Sequence, residues 1–426
     1  MKNIHTCKTI FFLSVLVLLL SSGVNAGMTA RSIGLGDEFV ALAGPDALYS
    51  NPAALDINDN SFVLQFNMAG EVWNNIFMND VISDSDKDNL LKIADKKGIL
   101  VSADGVIGGK MAIGPVTLFA DGRGNSLFKM SPDLAELLIN GNEIEGKYDF
   151  DGTEGAGSFY TDTGVNYAFK LSDSSYLGSL INDKFEVKNT YLGFTYHYLT
   201  GAFVKYSGSG GLEMGFDEDG EPFVEGNDGE VKAYYSEIDD FKDTAKGHAF
   251  DLGFYTELDD KYSWDFSILN IGGSLTADKV KEYKYRFEYD EETDEWDTIE
   301  PPDDGTLIEG KTKMKLPLII KLGGKMKFRE NIDLLANYTI TNYSDSIYSD
   351  SLTDHRFSAA TEISSIKFLP LRLGVNYSTL QNDFDISAGM GLYLGPFRMD
   401  AGISDLSGLF YKSKGVAGGL NFSLVF

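Results

Sequence analysis

Apolar residues alternate with small or polar ones at period two through most of this chain, and the pattern runs to its last residue. There Gly418, Leu420, Phe422, Leu424 and Phe426 fall on one face, against Gly419, Asn421, Ser423 and Val425. Segments of about ten residues with this period, separated by turn residues, are the sequence form of a transmembrane β-barrel. Its strands show apolar side chains to lipid and polar ones to the lumen. A bilayer admits only helices and closed barrels, because every backbone N–H and C=O must be paired without help from water. After residue 26 no stretch is apolar enough to make a spanning helix of about 20 residues. The expected fold is therefore all-β, a 14-stranded antiparallel transmembrane β-barrel.

The start of the chain supplies the route to such a membrane. Lys2 and Lys8 make a short positive region, Ile10 to Leu20 an apolar run, and Val24-Asn25-Ala26 a small-x-small cleavage pattern. This reads as a signal peptide over 1–26, removed so that the mature protein begins at Gly27. The apolar run is too short for an anchor helix. The only cysteine, Cys7, precedes that run, where a lipoprotein cysteine would follow it. The mature chain then has no disulfide, no thiolate metal site and no thiol nucleophile. The destination expected is the outer membrane of a diderm bacterium, with lipid and the barrel assembly machinery as the first partners.

Formal net charge is −28, and loss of Lys2 and Lys8 makes it about −30. Nucleic acid is an implausible partner, since binding it requires Lys and Arg to neutralise phosphates. The negative charge concentrates in Glu213 to Asp243 and in Asp278 to Glu309, which read as solvated loops. Phe216 to Glu221 resembles a calcium loop only faintly, lacking the ligand spacing and the closing bidentate Glu. No residue pattern requires a metal or any other cofactor.

Strand-like segments fall near 61–70, 99–112, 116–126, 156–171, 188–206, 246–258, 261–275, 313–328, 331–345, 354–364, 367–379, 382–394, 397–407 and 415–426. In the eighth, Met314, Leu316, Leu318, Ile320 and Leu322 are expected on one face, with Lys315, Pro317, Lys321 and Lys325 on the other. Connections mostly alternate long and short, as barrels with short periplasmic turns and long outside loops require. Gly114-Pro115, Asp259-Asp260, Arg329-Glu330 and Gly395-Pro396 belong to the short set. The gaps 71–98, 127–155, 207–245 and 276–312 belong to the long one. Two connections break the rule: 172–187 is long where a short turn is due, and Leu380-Gln381 is short where a loop is due. Both acidic segments fall in gaps that this parity assigns to the outside. Two outside loops carry helix signals, Asp84 to Lys97 and Ser131 to Leu138, the second with Ser at the N-cap and Pro at the first helical position. Another short helix is expected over Asp37 to Ala43.

The N-terminal run adds a family likeness. Gly34-Leu35-Gly36-Asp37-Glu38-Phe39-Val40-Ala41-Leu42, followed by Ala47-Leu48-Tyr49-Ser50-Asn51-Pro52-Ala53-Ala54-Leu55, resembles the start of mature proteins of the FadL/TodX outer-membrane transport superfamily. The PorV-like and TraF-like branch is the nearest in pattern. Ala249 to Gly253, Asn270 to Gly273 and Leu369 to Gly374 continue the resemblance, which does not extend to the middle loops. It implies an N-terminal hatch (27–58) inside the lumen of the barrel (59–426). It also implies uptake of small hydrophobic or amphipathic molecules or, on the PorV-like side, a scaffold or shuttle that binds exported proteins. The hatch and gating residues so implied are Gly34, Gly36, Asp37, Asn51, Pro52 and Ala53. Small residues there let the hatch backbone lie close to the wall.

Inward-facing charges are expected at Asp251, Asp265, Lys315, Lys321, Lys325, Asp333, Arg356, Glu362, Arg372, Asp385, Arg398 and Asp400. They form either mutual and hatch-directed ion pairs or a wet passage. Phe422, Leu424 and Phe426 form the expected insertion signal. His197, inward beside Thr195, is the one position where a catalytic base is conceivable. No nucleophile motif accompanies it, so the chain reads as a non-enzyme.

Overall fold

A computed structural model of the chain describes residues 28–36, 39–55, 62–75, 87, 90–94, 98–140, 147–171, 187–216, 222–236, 244–290, 295–299, 305–343, 352–406 and 414–426. The signal segment, Asp37, the acidic residues Asp217 and Asp219, and Glu291, Glu292 and Asp294 lie outside the described residues, as does most of 172–187.

In chain order the strands are β1 (Phe62–Asn74), β2 (Ile99–Ile113), β3 (Val116–Met130), β4 (Lys147–Asp149), β5 (Glu154–Lys170) and β6 (Asn189–Phe216). They continue with β7 (Pro222–Ser236), β8 (Ala245–Glu257), β9 (Tyr262–Asp290), β10 (Glu295–Ile299), β11 (Thr306–Lys315) and β12 (Leu318–Arg329). The last are β13 (Ile332–Asn342), β14 (Thr353–Ile363), β15 (Leu371–Ser378), β16 (Asp383–Leu394), β17 (Phe397–Ser404) and β18 (Gly415–Val425). Antiparallel pairing runs β1-β2-β3-β5-β6-β8-β9-β12 and then stepwise to β18, which returns to β1 with Val63 opposite Val425 and Trp73 opposite Gly415. That ring has 14 staves and no free edge, the condition for crossing lipid.

The alternation read from the sequence places the faces. Leu64, Phe66 and Met68 on β1 are exposed while Gln65 and Asn67 between them are buried, and Phe384 and Ile386 flank an inward Asp385 in the same way. Leu373 and Val375 likewise stand outward beside the buried Arg372 and Asn376. The barrel is therefore inverted relative to a soluble protein, apolar outside and polar within. The start of β1 and the end of β18 meet at one rim, here termed the inner end, where Phe426 N–H donates to Phe62 O at 2.9 Å.

β4, β7, β10 and β11 stand above the ring. β4 prolongs the line of β5 along β6, β7 that of β8, and β11 that of β12 along β9. One side of the barrel is consequently tall. β6 has 28 residues and β9 has 29, against roughly 10 needed to span a membrane. The described parts of the acidic segments, in β6, β7, β9, β10 and β11, lie on this side at the end opposite the inner rim, where the parity of the connections puts them.

Parity also resolves its own exceptions. Leu171 N–H bonds Thr190 O at the inner end, although the connection between β5 and β6 is long. The short Leu380-Gln381 turn between β15 and β16 lies at the outer end. Loop length follows what the loop must do; strand direction is fixed by closure.

One face assignment needs correction. Leu318 and Leu322 are exposed and Lys321 is buried, as expected, but Met314 and Leu316 turn inward and Lys315 lies exposed on the opposite face. The phase of alternation flips at Pro317, which has no N–H to give the ladder. β11 pairs Met314 with Leu275, whereas β12 resumes with Ile319 opposite Leu269. The residues skipped on β9 include Asn270, with φ 61°, and Gly272, with φ 69°, an irregularity that re-aims the strand.

The short helices also differ. Helix α1 is Ala30–Leu35, ahead of the expected Asp37 to Ala43. Thr29 and Ser32 form a reciprocal capping box, and Gly36, at φ 84°, ends the helix in the left-handed region. Residues 39–43 contain turns only. Helix α2 (Pro132–Asn140) starts as expected, with Leu134 N–H donating to the Ser131 hydroxyl at 3.4 Å. Residues 90–94 are helical, and Leu90 and Ala94 pack with Ile99 and Ala135 at the outer end.

Candidate functional site

Residues 28–36 and 39–55 lie inside the barrel and touch inward side chains around the whole circumference. This plug has two docking regions. At the first, both ends of α1 are held by asparagines that alternation aims inward. Asn67 Nδ2 donates to Met28 O at 2.7 Å, Ala30 N–H donates to Asn421 Oδ1 at 3.1 Å, and Asn376 Nδ2 donates to Gly36 O at 2.7 Å. The helix then lies directly on wall backbone. A Cβ at Gly374 would fall 1.7 Å from Leu35 O, and one at Gly34 would fall 2.7 Å from Gly389 Cα. Only glycine permits that approach.

Arg31 on α1 forms a fork with Glu362, Nε–Oε2 at 3.0 Å and Nη2–Oε1 at 2.8 Å. Glu362 also accepts from Arg372 Nε at 2.6 Å, and Arg372 pairs with Asp400 at 2.7 Å. Arg372 is 1% exposed, so this alternating chain of charges replaces the water it excludes. Removing one member of such a chain leaves its neighbour buried and uncompensated, which costs about 3–5 kcal/mol.

The second region holds the Asn-Pro-Ala turn. Asn51 is fully buried. Its Oδ1 accepts Ala53 N–H at 3.0 Å, capping the 3-10 turn Pro52–Ala54, while Nδ2 donates to Phe254 O at 3.1 Å and Val40 O at 3.3 Å. Asn166 Nδ2 donates to Pro52 O at 3.3 Å, and Ser267 Oγ to Ser50 O at 2.6 Å. Space for the turn comes from Gly193 and Gly253, where a Cβ would lie 2.2 Å from Pro52 C and Asn51 Oδ1 respectively.

Beside it, Tyr49 donates to Asp121 at 2.9 Å, Arg123 reaches Asp162 at 3.1 Å, and His197 stands between two acids. Its Nδ1 is 3.0 Å from Asp162 and its Nε2 2.9 Å from Asp251. Each ring nitrogen needs a proton to bond a carboxylate, so neither has a lone pair to offer as a base. The histidine, on β6, ties together the inward acids of the two flanking staves, β5 and β8.

The lumen differs around its circumference. Across from α1, Leu199, Phe203, Leu275, Met314 and Leu316 turn inward and pack, with Tyr160, into a cluster at most 7% exposed at the outer end of β5, β6, β8, β9 and β11. On the α1 side the space is lined by polar and apolar side chains alike and divided by the helix. Toward the outside lies a cavity of about 50 Å³, lined among others by Lys321, Arg356, Asn376 and Asp385. It shares Glu71 and Asp385 with a second, smaller space lined also by Asp383 and Asp405. Toward the inner end lies a larger one of about 210 Å³.

Of the residues singled out by sequence, Gly34, Gly36, Asn51, Pro52 and Ala53 are buried in the plug. Lys321, Arg356, Arg372, Arg398 and Asp400 face the lumen. Lys315 does not, and Asp37 is outside the described residues. Phe422, Leu424 and Phe426 are exposed on the outer face at 39%, 37% and 61%. Sequence reading missed Asp46, which accepts from both Gln65 and Asn421, and the Tyr49–Asp121–Arg123–Asp162 relay. The period-two signal held Asp121 and Arg123 in one phase with Thr117 and Asn125, but not which inward groups meet across the lumen.

A sequence profile described as a family of unknown function, DUF5723, matches residues 22–402. Comparison with curated protein sequences finds no match. Among solved structures, the toluene transporter TbuX of Ralstonia pickettii is 12% identical, covering 95% of this chain and 99% of that one, with a TM-score of 0.51. The CymD monoaromatic hydrocarbon channel is 9% identical over 95% and 99%, TM-score 0.52. A FadL homologue of Pseudomonas aeruginosa is 11% identical over 95% and 98%, TM-score 0.50. At such identities the likeness is one of fold.

Proposed function

The chain belongs to the DUF5723 family, and from its fold and lumen we propose that it is an outer-membrane barrel for uptake of small hydrophobic or amphipathic molecules past an N-terminal plug. The observation that carries this reading is the apolar cluster of Leu199, Phe203, Leu275, Met314 and Leu316, turned into the lumen at its outer end. Apolar side chains facing a lumen add nothing to lipid contact, and their position at the outer end suits first capture of an apolar solute. A set of convergent apolar side chains with polar groups beneath it is the usual form of a small-molecule site. The fold neighbours named for toluene and monoaromatic hydrocarbons support the same reading. The cluster is closed, so it opens to admit a guest, and the plug shifts to release it. Asn51, Gly34 and Gly36 act here as positioning residues for the plug. His197, with both ring nitrogens committed, plays no catalytic part.

The test is uptake of labelled toluene and of octanoate into proteoliposomes containing the full mature chain. Met314→Lys should reduce toluene uptake at least tenfold while the barrel stays folded. Failure to admit either probe, with a folded barrel, refutes the reading.

The tall wall of β6, β7, β9 and β11 favours a second reading, an outer-membrane scaffold of the PorV-like kind that binds exported proteins. A stoichiometric partner, lost when 208–230 is shortened and accompanied by no solute uptake, would establish it instead.

A further inference from the structure

Lysines are out of place on the lipid-facing surface of a barrel, yet three stand there together on the tall side. On β8 the even-numbered residues face outward: Phe250 and Leu252 are exposed, and so are His248 and Lys246 above them. The register carries this face across the sheet. Lys246 is opposite Thr276 on β9, and Thr276 is opposite Lys313 on β11. One row lower, His248 is opposite Ser274, and Ser274 is opposite Lys315. Lys313 and Lys315 are exposed because the phase flip at Pro317 turns them outward. Three strands thus form a small rectangle, with basic side chains on both flanks and two hydroxyl side chains between them. Neighbouring strands lie about 4.8 Å apart, so the flanks are about 10 Å apart, a gap that one phosphate group fills when lysine side chains lean over it.

The height of the rectangle suits a lipid headgroup. β8 runs down from Lys246 to Glu257 at the inner rim. At about 3.3 Å per residue and a tilt of about 40°, His248 and Lys246 stand about 23 and 28 Å above that rim. The apolar band of such barrels is about 25 Å tall, and a lysine is costly at its middle but nearly free at its edge. Below the rectangle the same face carries the exposed Phe250, then Phe194 and Leu252. At the outer end of the low side the outward residues include Val72, Phe384 and Val416, exposed and apolar, so the basic rows are a local feature. The imidazole is set to donate: the Tyr196 hydroxyl lies 2.6 Å from His248 Nδ1, and when Nδ1 accepts that proton Nε2 carries one of its own. Lys205 of β6 donates to Lys313 O at 3.0 Å, adding positive charge beside the row. Along β9 the nearest carboxylate on this face is the exposed Asp278, two residues above Thr276. Glu237, Asp239, Asp240 and Asp243 precede β8 in the chain and lie outside the described residues, so this balance is one of the described residues. We propose that the rectangle binds the phosphate of an outer-leaflet lipid. Lys246, Lys313 and Lys315 pair with its charge, His248, Ser274 and Thr276 donate hydrogen bonds, and Phe250 and Leu252 receive the start of an acyl chain. The apolar surface continuing directly below the charges selects a lipid over a free anion, and basic clusters at the membrane surface are the usual means of holding acidic headgroups. The site goes beyond the uptake reading and does not depend on it.

The experiment is native mass spectrometry of the full mature chain released from neutral micelles that contain dioleoyl phosphatidic acid or, separately, dioleoylglycerol, which has the same chains without the phosphate. Phosphatidic acid should be retained at least tenfold more tightly. That preference should fall at least tenfold in the double variant Lys313→Gln/Lys315→Gln, several-fold in Lys246→Gln, and also at raised salt. Asp278→Asn should tighten retention several-fold, a gain that misfolding cannot imitate. Lys261→Gln, exposed at the inner rim, should leave it unchanged. Equal retention of the two lipids would mean apolar packing alone, and displacement of the lipid by millimolar inorganic phosphate would mean a free-anion site. Either result overturns the proposal, as does a preference indifferent to Lys246, Lys313 and Lys315.

Discussion

Replacing Asn51 by alanine isolates the contact on which the second docking region turns. Three hydrogen bonds disappear, two of them donated to the carbonyls of Phe254 and Val40 and one accepted from Ala53 N–H. The site is fully buried, so these partners are left without water. A net bond contributes about 1 kcal/mol, and each buried orphan costs about 1–3 kcal/mol more. The bond to Val40 O is the longest of the three, so its loss counts for least. Relaxation offsets part of the remainder, which leaves about 3 kcal/mol lost from docking of the turn. At about 1.4 kcal/mol per tenfold, the undocked population rises roughly 100-fold. The barrel's own ladder is untouched, so its melting should not follow. Hydrogen exchange of amides 44–54 measures the local opening and should accelerate by about that factor, while amides of β14–β17 stay protected. Asn51→Asp separates the contributions: the cap to Ala53 survives, but both donors are lost and a carboxylate faces two carbonyls, so opening should be at least as large. Exchange at 44–54 within a few-fold of wild type in both variants would show that the asparagine does not pin the turn.

Gly374→Ala should dislodge α1 by about 1–3 kcal/mol through overpacking, read as faster exchange at residues 30–36. Gly418→Ala, where the nearest atom is 4.0 Å from the added Cβ, is the matched control, and equal behaviour of the two rejects the account. Deleting Phe426 removes the ring that stands 6.2 Å from Phe62 and the N–H that closes the seam. The folded, membrane-inserted fraction should drop several-fold by heat-shifted gel mobility, and unchanged abundance counts against an insertion role. Protease added to intact cells should cut near Asp290 and spare Asp259-Asp260 and Gly395-Pro396; the opposite pattern inverts the topology.

Much of this molecule was determined locally. In a barrel each residue's face follows from its parity, and parity is a property of neighbours in sequence, so the staves and nearly all the inward charges were readable one segment at a time. That reading failed at Lys315 because a proline and a left-handed Asn270 shifted the phase, and the shift is visible only when β9 and β11 are seen together. Helix α1 was misplaced for a different reason: its boundaries are set by the Thr29–Ser32 box and by Gly36, signals weaker than the apolar run that follows them. What tertiary structure alone decided is which inward groups meet. Arg31 reaches Glu362 across 331 positions, and Ala30 reaches Asn421 across 391. No local pattern encodes contacts across a lumen, because closure of the ring, not adjacency in the chain, brings those side chains within a hydrogen bond of one another.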